Sequence, residues 1–123
     1  MAQLKVLVVE DDPTVQEVLT TLLGFEGCQV EVAGDGRAGL EAAARLRPDV
    51  VLLDIMMPGM DGYDVCRALK SEPDPPKVVM VTAKTSAEDE RKGISLGADA
   101  YLRKPFSPLE LLRVVGVAPD GRP

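Results

Sequence analysis

Three short runs of valine-rich apolar residues constrain the fold of this chain more than any other feature. The runs are VLVV at residues 6–9, VVLL at residues 50–53 and VVMV at residues 78–81, each bounded by polar or turn residues. Apolar runs of this length are typical of β-strands that are buried on both faces. A sheet with two buried faces needs helices above and below it, so the runs predict a layered α/β fold.

Helical patterns lie between these strands. In the first, Asp12 is placed to cap a helix, Pro13 suits its first position, and Gly24 is predicted to end it. Ser107 and Glu110 form a capping box that opens the last helix. The apolar face of the first helix comprises Val15, Val18, Leu19, Leu22 and Leu23. Three more helices are predicted at about residues 37–46 (capped by Asp35), from about residue 61, and at about residues 86–96; weaker strands fit residues 29–33 and 100–103.

Strand and helix therefore alternate five times along the chain. This alternation predicts an α/β fold with a parallel sheet and helices on both faces. The length of 123 residues suits one domain with its own core. In folds of this kind, ligands bind beyond the carboxyl ends of the strands, so the residues that follow each strand are the candidates for function.

Charged and polar residues follow four of the five predicted strands. Carboxylates that converge on one edge repel each other unless a cation or a lysine neutralises them. Oxygen ligands suit Mg²⁺, and a lysine and a hydroxyl beside it would complete a phosphoryl-binding site in which a carboxylate can be the nucleophile. The residues are Glu10, Asp11 and Asp12 after the first strand, Asp54 after the third, Thr82 and Ala83 after the fourth, and Lys104 and Pro105 after the fifth.

Composition excludes several classes of function. The chain has no histidine, which rules out a Ser-His-Asp triad and a His-ligated zinc site. Its net charge of −6 argues against direct binding of nucleic acid. Cys28 and Cys66 match no metal-binding spacing and are expected to be buried thiols. The sequence shows neither a signal-peptide pattern nor an apolar run long enough to span a membrane, so we expect a cytoplasmic protein without membrane contact.

Two other motifs are nominal matches to enzyme families. The run Gly34-Asp35-Gly36-Arg37-Ala38-Gly39 fits the GxGxxG fingerprint of dinucleotide-binding proteins, but it follows the second strand instead of the first. A turn with Asp35 as helix cap accounts for it more simply. Asp54 could also be the nucleophile of a haloacid dehalogenase-type hydrolase, but the second aspartate of that family is replaced here by Met56.

The segments LKVLVVEDDPTV, PDVVLLDIMMPGMDGYDV, KVVMVTAKT and GADAYLRKPFSPLELL occur in this order between residue 4 and about residue 115. As a set they resemble the receiver domain of bacterial two-component response regulators. The resemblance implies a CheY-like, flavodoxin-like fold: a three-layer, doubly wound (βα)5 sheet with strand order 2-1-3-4-5. It implies a receiver domain at residues 1–116 and a linker-like tail at residues 117–123.

The resemblance also implies roles for individual residues. Asp54 is the expected phosphoacceptor, and Mg²⁺ is the expected cofactor. Its expected ligands are Asp11 directly, the paired acid Glu10, Asp54 itself and the backbone carbonyl of Met56. Met56 and Lys84 occupy positions that tune the lifetime of the phosphoryl group.

The remaining implied roles concern the response to phosphorylation. Thr82 is expected to be the switch hydroxyl, with Ala83 beside it, and Lys104 is expected to pair with a phosphoryl oxygen. Tyr101 occupies the aromatic switch position, and the Lys104–Pro105 peptide is cis in the family. The output surface is expected to comprise the fourth helix, the fifth strand and the fifth helix.

The resemblance implies a signalling switch, not an enzyme, with a sensor histidine kinase or a phosphotransfer protein as phosphoryl donor. A stand-alone receiver and a receiver excised from a longer regulator with an output domain both remain open, as does a phosphorylation-dependent homodimer. Two alternatives are a module of the same fold that never accepts phosphate, and a nucleotide-dependent oxidoreductase or phosphatase. Binding of beryllofluoride with Mg²⁺ would argue against the first, and NAD binding or repeated turnover of a phosphate ester would favour the second.

Overall fold

A computed structural model describes residues 3–57, 61–83 and 87–116, apart from the side chains of residues 87–90. Within these residues, five strands alternate with five helices along the chain, as the sequence predicts. The strands are β1 Lys5–Val9, β2 Gln29–Ala33, β3 Val50–Asp54, β4 Lys77–Thr82 and β5 Ala100–Arg103. The helices are α1 Pro13–Phe25, α2 Gly36–Leu46, α3 Gly62–Lys70, α4 Ala87–Ser95 and α5 Pro108–Val115.

The strands form one parallel sheet in the order β2-β1-β3-β4-β5. This confirms the doubly wound topology and the strand order 2-1-3-4-5. The strand order changes direction at β1, which has β2 on one side and β3 on the other. The carboxyl ends of β1 and β3 therefore lie side by side, at the position where doubly wound sheets bind their ligands.

Successive residues of the central strands face opposite layers of helices. Leu7, Val9, Leu53 and Met80 belong to the core under α2 and α3, where each is fully buried. Their neighbours along the strands face α1 and α5 instead. This second core includes Val6, Val8, Leu52, Val79, Val81, Leu19, Leu23, Leu111 and Leu112. Burial on both sides explains why the three apolar runs do not alternate with polar residues.

The predicted helix caps are confirmed. Asp12 accepts a hydrogen bond from the Thr14 N–H at 2.9 Å, and Asp35 accepts one from the Ala38 N–H at 2.8 Å. Ser107 and Glu110 form the predicted capping box. The prediction that Gly24 ends α1 was wrong, because α1 continues to Phe25 and the left-handed turn that follows is made by Gly27, with φ of 85°.

Close packing explains the last glycine of the GxGxxG run. A Cβ on Gly39 would lie 2.8 and 3.0 Å from the two methyl carbons of Val9, so this glycine lets α2 approach β1 directly. With Asp35 acting as the cap of α2, the run is accounted for by helix initiation and packing.

Several predictions concern features away from the sheet edge. Cys28 and Cys66 are both buried, as predicted. Among the described residues, no helix has the length and apolarity needed to cross a membrane. Ser86, predicted at the start of the fourth helix, and the tail at residues 117–123 lie outside the described residues.

An ion pair holds the end of the sheet that is opposite the candidate ligand edge. Asp99 Oδ2 accepts hydrogen bonds from Lys70 Nζ and from the Val78 N–H, each at 2.8 Å. Burial alone would raise the pKa of Asp99, but these two donors outweigh it and lower the pKa below its usual value. The carboxylate therefore ties α3 to the start of β4 and β5 in its charged form.

We expect Asp99→Asn to lower the free energy of unfolding by about 1 kcal/mol at pH 7, since a charged hydrogen bond is lost at a site partly open to water. A pKa lowered on folding stabilises the protein above the unfolded-state pKa of about 4, and this contribution is lost as the pH falls below it. Urea denaturation at pH 7 and near pH 3 should show the difference between variant and wild type shrinking at the lower pH. A difference that is independent of pH would contradict this role for the Asp99 charge.

Candidate functional site

Glu10 is a carboxylate buried at the carboxyl end of β1. It is 2% exposed, and its Oε2 accepts a hydrogen bond from the Asp12 N–H at 3.1 Å. Its backbone is fixed on both sides: its N–H donates to the Ala33 carbonyl at 3.0 Å, and its carbonyl accepts from Gln16 Nε2 at 2.6 Å. The sequence analysis missed Gln16, whose only signal is its place in the first turn of α1, one helical turn after Asp12.

Asp54 is the matching carboxylate at the end of β3. It is 4% exposed, and its Oδ1 accepts a hydrogen bond from the Met56 N–H at 2.8 Å. By the alternation of side chains, Asp54 follows Leu52 onto one face of the sheet just as Glu10 follows Val8. Because β1 and β3 are neighbours, the two carboxylates meet at one point of the sheet edge.

Lys104 joins the two carboxylates from the loop after β5. Its Nζ lies 3.1 Å from Glu10 Oε1 and 3.3 Å from Asp54 Oδ2. The backbone N–H of Lys104 donates to the Thr82 carbonyl at 2.8 Å, and the Lys104–Pro105 peptide bond is cis. The fold thus brings the Lys104 ammonium to two carboxylates that precede it in the chain by 94 positions (Glu10) and by 50 positions (Asp54).

The electrostatics of this cluster reflect the cost of burying two like charges. The pKa of Glu10 is raised to about 7, chiefly by burial and also by the neighbouring Asp54, while hydrogen bonds from the Asp12 N–H and Lys104 act to lower it. Burial of Lys104 acts to lower its pKa, but the contacts with Glu10 and Asp54 outweigh this and leave its pKa raised. One ammonium therefore neutralises two carboxylates only in part, and a further positive charge would stabilise the cluster.

The donor set suits a hard divalent cation. Carboxylate oxygens of Glu10, Asp11 and Asp54 all lie within 4.8 Å of one another, with Asp11 exposed to solvent and the other two buried. Such oxygen ligands match Mg²⁺, which binds to one or two carboxylates and retains several of its waters.

Thr82 and Tyr101 lie on the neighbouring strands β4 and β5. Thr82 ends β4 and is fully buried, while Tyr101 is half-buried in β5 opposite Met80. Thr82 lies two residues after Met80, so Thr82 and Tyr101 project from the same face of the sheet. Ala83 is exposed just beyond Thr82, and Lys84 lies outside the described residues.

Comparison with known sequences identifies close relatives. The family model of the response regulator receiver domain matches residues 6–116. The chain is 51% identical over 108 residues to the DNA-binding response regulator MtrA of Mycolicibacterium smegmatis, an alignment that covers 88% of this chain and 47% of MtrA. It is 47% identical to the response regulator MprA of Mycolicibacterium vanbaalenii, again covering 88% of this chain and 47% of the relative. The chain thus spans about half the length of the curated relatives it matches.

Solved structures share the fold over most of this chain. The chemotaxis protein CheY4 of Vibrio cholerae superposes with a TM-score of 0.87 at 35% identity, covering 94% of this chain and 98% of CheY4. The BeF3-activated N-terminal receiver domain of RstA from Klebsiella pneumoniae superposes with a TM-score of 0.83 at 37% identity, covering 89% of this chain and 92% of that domain. The family match at residues 6–116 includes the positions of Glu10, Asp54 and Lys104.

Proposed function

The chain belongs to the response regulator receiver domain family, and from that premise we propose that it is a phosphorylation-activated switch whose phosphoacceptor is Asp54. The observation that carries the proposal is the position of Lys104, whose Nζ contacts the buried carboxylates of both Glu10 and Asp54. A buried nucleophilic carboxylate held next to a fixed ammonium is the arrangement that phosphoryl transfer requires, because charge on the transferred oxygens is neutralised in place.

In the proposed reaction, a carboxylate oxygen of Asp54 forms a bond to phosphorus while the phosphorus–nitrogen bond of a phosphohistidine breaks. The imidazole is the leaving group and returns to its neutral form with a proton from solvent. Lys104 moves its ammonium from the carboxylates to a phosphoryl oxygen as the acyl phosphate forms. Because this chain has no histidine, the donor belongs to another protein or domain, which is a sensor histidine kinase or a phosphotransfer protein in this proposal.

The proposed cofactor is Mg²⁺. Asp11 and Asp54 would bind it through their carboxylates, Met56 through its backbone carbonyl, and Glu10 would complete the acidic pair. When bound, the ion would supply the positive charge that the cluster lacks and would offset charge on the phosphoryl oxygens. The 2.8 Å hydrogen bond from the Met56 N–H orients the Asp54 carboxylate.

The proposed response to phosphorylation begins at Thr82 and Tyr101. A dianionic group on Asp54 favours conformations in which the Thr82 hydroxyl turns toward it, and Tyr101 on the same face of the sheet adjusts with it. The surface formed by α4, β5 and α5 then carries the signal. Met56, whose side chain is 55% exposed beside Asp54, and Lys84 are proposed to tune the lifetime of the acyl phosphate.

The output of the switch is proposed from the relatives. MtrA is a DNA-binding response regulator of about twice the aligned length, so an output domain joined to this receiver is one form that the regulator can take. A downstream protein or a phosphorylation-dependent homodimer would use the same α4-β5-α5 surface. Direct binding of nucleic acid is not proposed for this chain, since its net charge is −6.

We expect the wild-type chain to gain the mass of one phosphoryl group when it is incubated with acetyl phosphate and Mg²⁺, and to gain none when EDTA removes the metal. Asp11→Asn should raise the Mg²⁺ concentration for half-maximal phosphorylation about tenfold or more, because a charged ligand of the ion is lost. Asp11 is exposed, and its loss relieves repulsion with Glu10 and Asp54, so this variant should fold and should unfold at a urea concentration no lower than that of wild type.

Asp74→Asn is the matched control, because it removes the same charge from an exposed residue in the loop at the opposite end of the strands. It should leave the Mg²⁺ dependence unchanged. If wild type shows no mass gain, the proposed function is wrong. If Asp11→Asn and Asp74→Asn behave alike, Asp11 has no part in binding the ion.

A further inference from the structure

The described side-chain stretch of helix α4, residues 91–95, differs from the other helices of this chain in what it buries. Of residues 91–95, only Gly93 is buried, and Ile94 is 55% exposed. The other helices bury leucine, valine or alanine side chains against the sheet. The buried contact of this stretch of α4 is therefore made by a residue without a side chain.

The space that a side chain at position 93 would need is occupied by Tyr101 and Met80. A Cβ built on Gly93 collides with the Tyr101 hydroxyl oxygen, and it would lie 2.8 Å from Tyr101 Cε2 and 2.7 Å from Met80 Sδ. Methionine is flexible and can adjust at low cost. The tyrosine ring is rigid and can make room only by rotating as a whole about its bond to the backbone.

The register of the sheet explains why the ring lies at this place. Met80 and Tyr101 are partners in the β4–β5 ladder, and both contact Gly93 of the helix that connects those strands. Lys92, the residue before Gly93, places its Nζ 4.3 Å from the centre of the Tyr63 ring on α3. Two aromatic rings thus lie against adjacent residues of α4, Tyr63 against the Lys92 ammonium and Tyr101 against Gly93.

We propose that Gly93 is a positioning residue for Tyr101: the missing side chain forms the socket that admits the ring beneath α4. The position of the Tyr101 ring and the distance of α4 from the sheet are then coupled, because any side chain at position 93 would collide with the ring. This inference rests on the proposed function, in which Tyr101 responds to phosphorylation of Asp54, and it adds the residue that sets where the ring can go.

The first test measures stability in two backgrounds and does not depend on phosphorylation. Alanine is the better helix former, so Gly→Ala in a helix without steric conflict should raise the urea concentration at the unfolding midpoint. Gly24→Ala in α1 is the matched control, because nothing lies within 4 Å of a Cβ there. Gly93→Ala should instead lower the midpoint in wild type, and should raise it in a Tyr101→Ala background where the ring is gone.

If Gly93→Ala shifts the urea midpoint in the same direction in both backgrounds, the proposed socket is wrong. A spectroscopic signature accompanies the test: the chain has two tyrosines, so 3-fluorotyrosine labelling yields two ¹⁹F resonances that Tyr63→Phe assigns. We expect the Tyr101 resonance to move in Gly93→Ala and to stay in place in Gly24→Ala. An unmoved Tyr101 resonance in Gly93→Ala would also overturn the proposal.

The second test links the socket to the switch, with beryllofluoride and Mg²⁺ as the probe. If Gly93 sets the ring equilibrium that phosphorylation uses, the dissociation constant for beryllofluoride should change about fivefold or more in Gly93→Ala and remain unchanged in Gly24→Ala. Equal affinity in Gly93→Ala and wild type would overturn the regulatory role. Wild-type protein that does not bind beryllofluoride at all would overturn the proposed function instead, while the stability test of the socket would still stand.

Discussion

Replacing Asp54 with asparagine is expected to abolish phosphorylation by acetyl phosphate and Mg²⁺. The amide lacks the negatively charged oxygen that attacks phosphorus. The other carboxylate that contacts Lys104, that of Glu10, belongs to the acidic pair of the proposed metal site and is not expected to replace it as acceptor. The fold should be preserved, because the amide oxygen of asparagine can still accept the 2.8 Å hydrogen bond from the Met56 N–H. Intact-mass spectrometry after incubation should show one added phosphoryl group in wild type and none in the variant.

Asp64→Asn is a suitable control for this experiment, since Asp64 is an exposed aspartate of α3 that lies outside the carboxylate cluster. It should be phosphorylated to the same extent as wild type. A phosphoryl group that persists in Asp54→Asn would mean that another side chain is the acceptor. Peptide mapping of the modified variant would then identify that residue.

The fold was predictable from the sequence because its strongest signals are local. The buried strands are continuous apolar runs, and caps such as Asp12 and Ser107 mark where helices begin. Local signals also explain the error at the end of α1, where the sequence offers two glycines. Gly24 and Gly27 are both compatible with a helix end, and only the backbone conformation, with Gly27 at φ of 85°, distinguishes them.

The composition of the candidate site was predictable, but its geometry was not. Glu10, Asp54 and Lys104 each follow a strand, and a parallel sheet brings such residues to one edge. That Lys104 contacts both carboxylates depends on the course of the loop after β5, which a strand pattern does not determine. The hydrogen bond from Gln16 to the Glu10 carbonyl depends on how α1 is rotated against the sheet.

Gly93 illustrates the limit most clearly. In the sequence it is a glycine in a polar helix, where its expected effect is to weaken the helix. Its contact with Tyr101 follows only once the β4–β5 register and the position of α4 are known. Because Gly93 has no side chain, it contributes nothing to a hydrophobic pattern. Its role can be inferred only from Tyr101, which occupies the space that a side chain would take.

Removing the charge of Lys104 is expected to slow phosphorylation of Asp54 by about a hundredfold or more. The ammonium is a fixed positive group next to the nucleophile, and loss of one such preorganised group costs about two to three orders of magnitude in rate. Lys104→Gln also leaves Glu10 and Asp54 without their shared counterion, so the pKa of Glu10 should rise further. The rate of mass gain with acetyl phosphate at saturating Mg²⁺ measures the first effect.

Because Lys104 is not a proposed ligand of the ion, Mg²⁺ should still bind to Lys104→Gln, and it should stabilise this variant against urea more than it stabilises wild type. The ion would then supply the positive charge that the ammonium no longer provides between the buried carboxylates. Lys77→Gln removes one charge at the opposite end of β4 and should leave both the rate and the Mg²⁺ effect unchanged. A Lys104→Gln protein that is phosphorylated at the wild-type rate would show that the contacts of 3.1 and 3.3 Å only neutralise the resting carboxylates and take no part in the transfer.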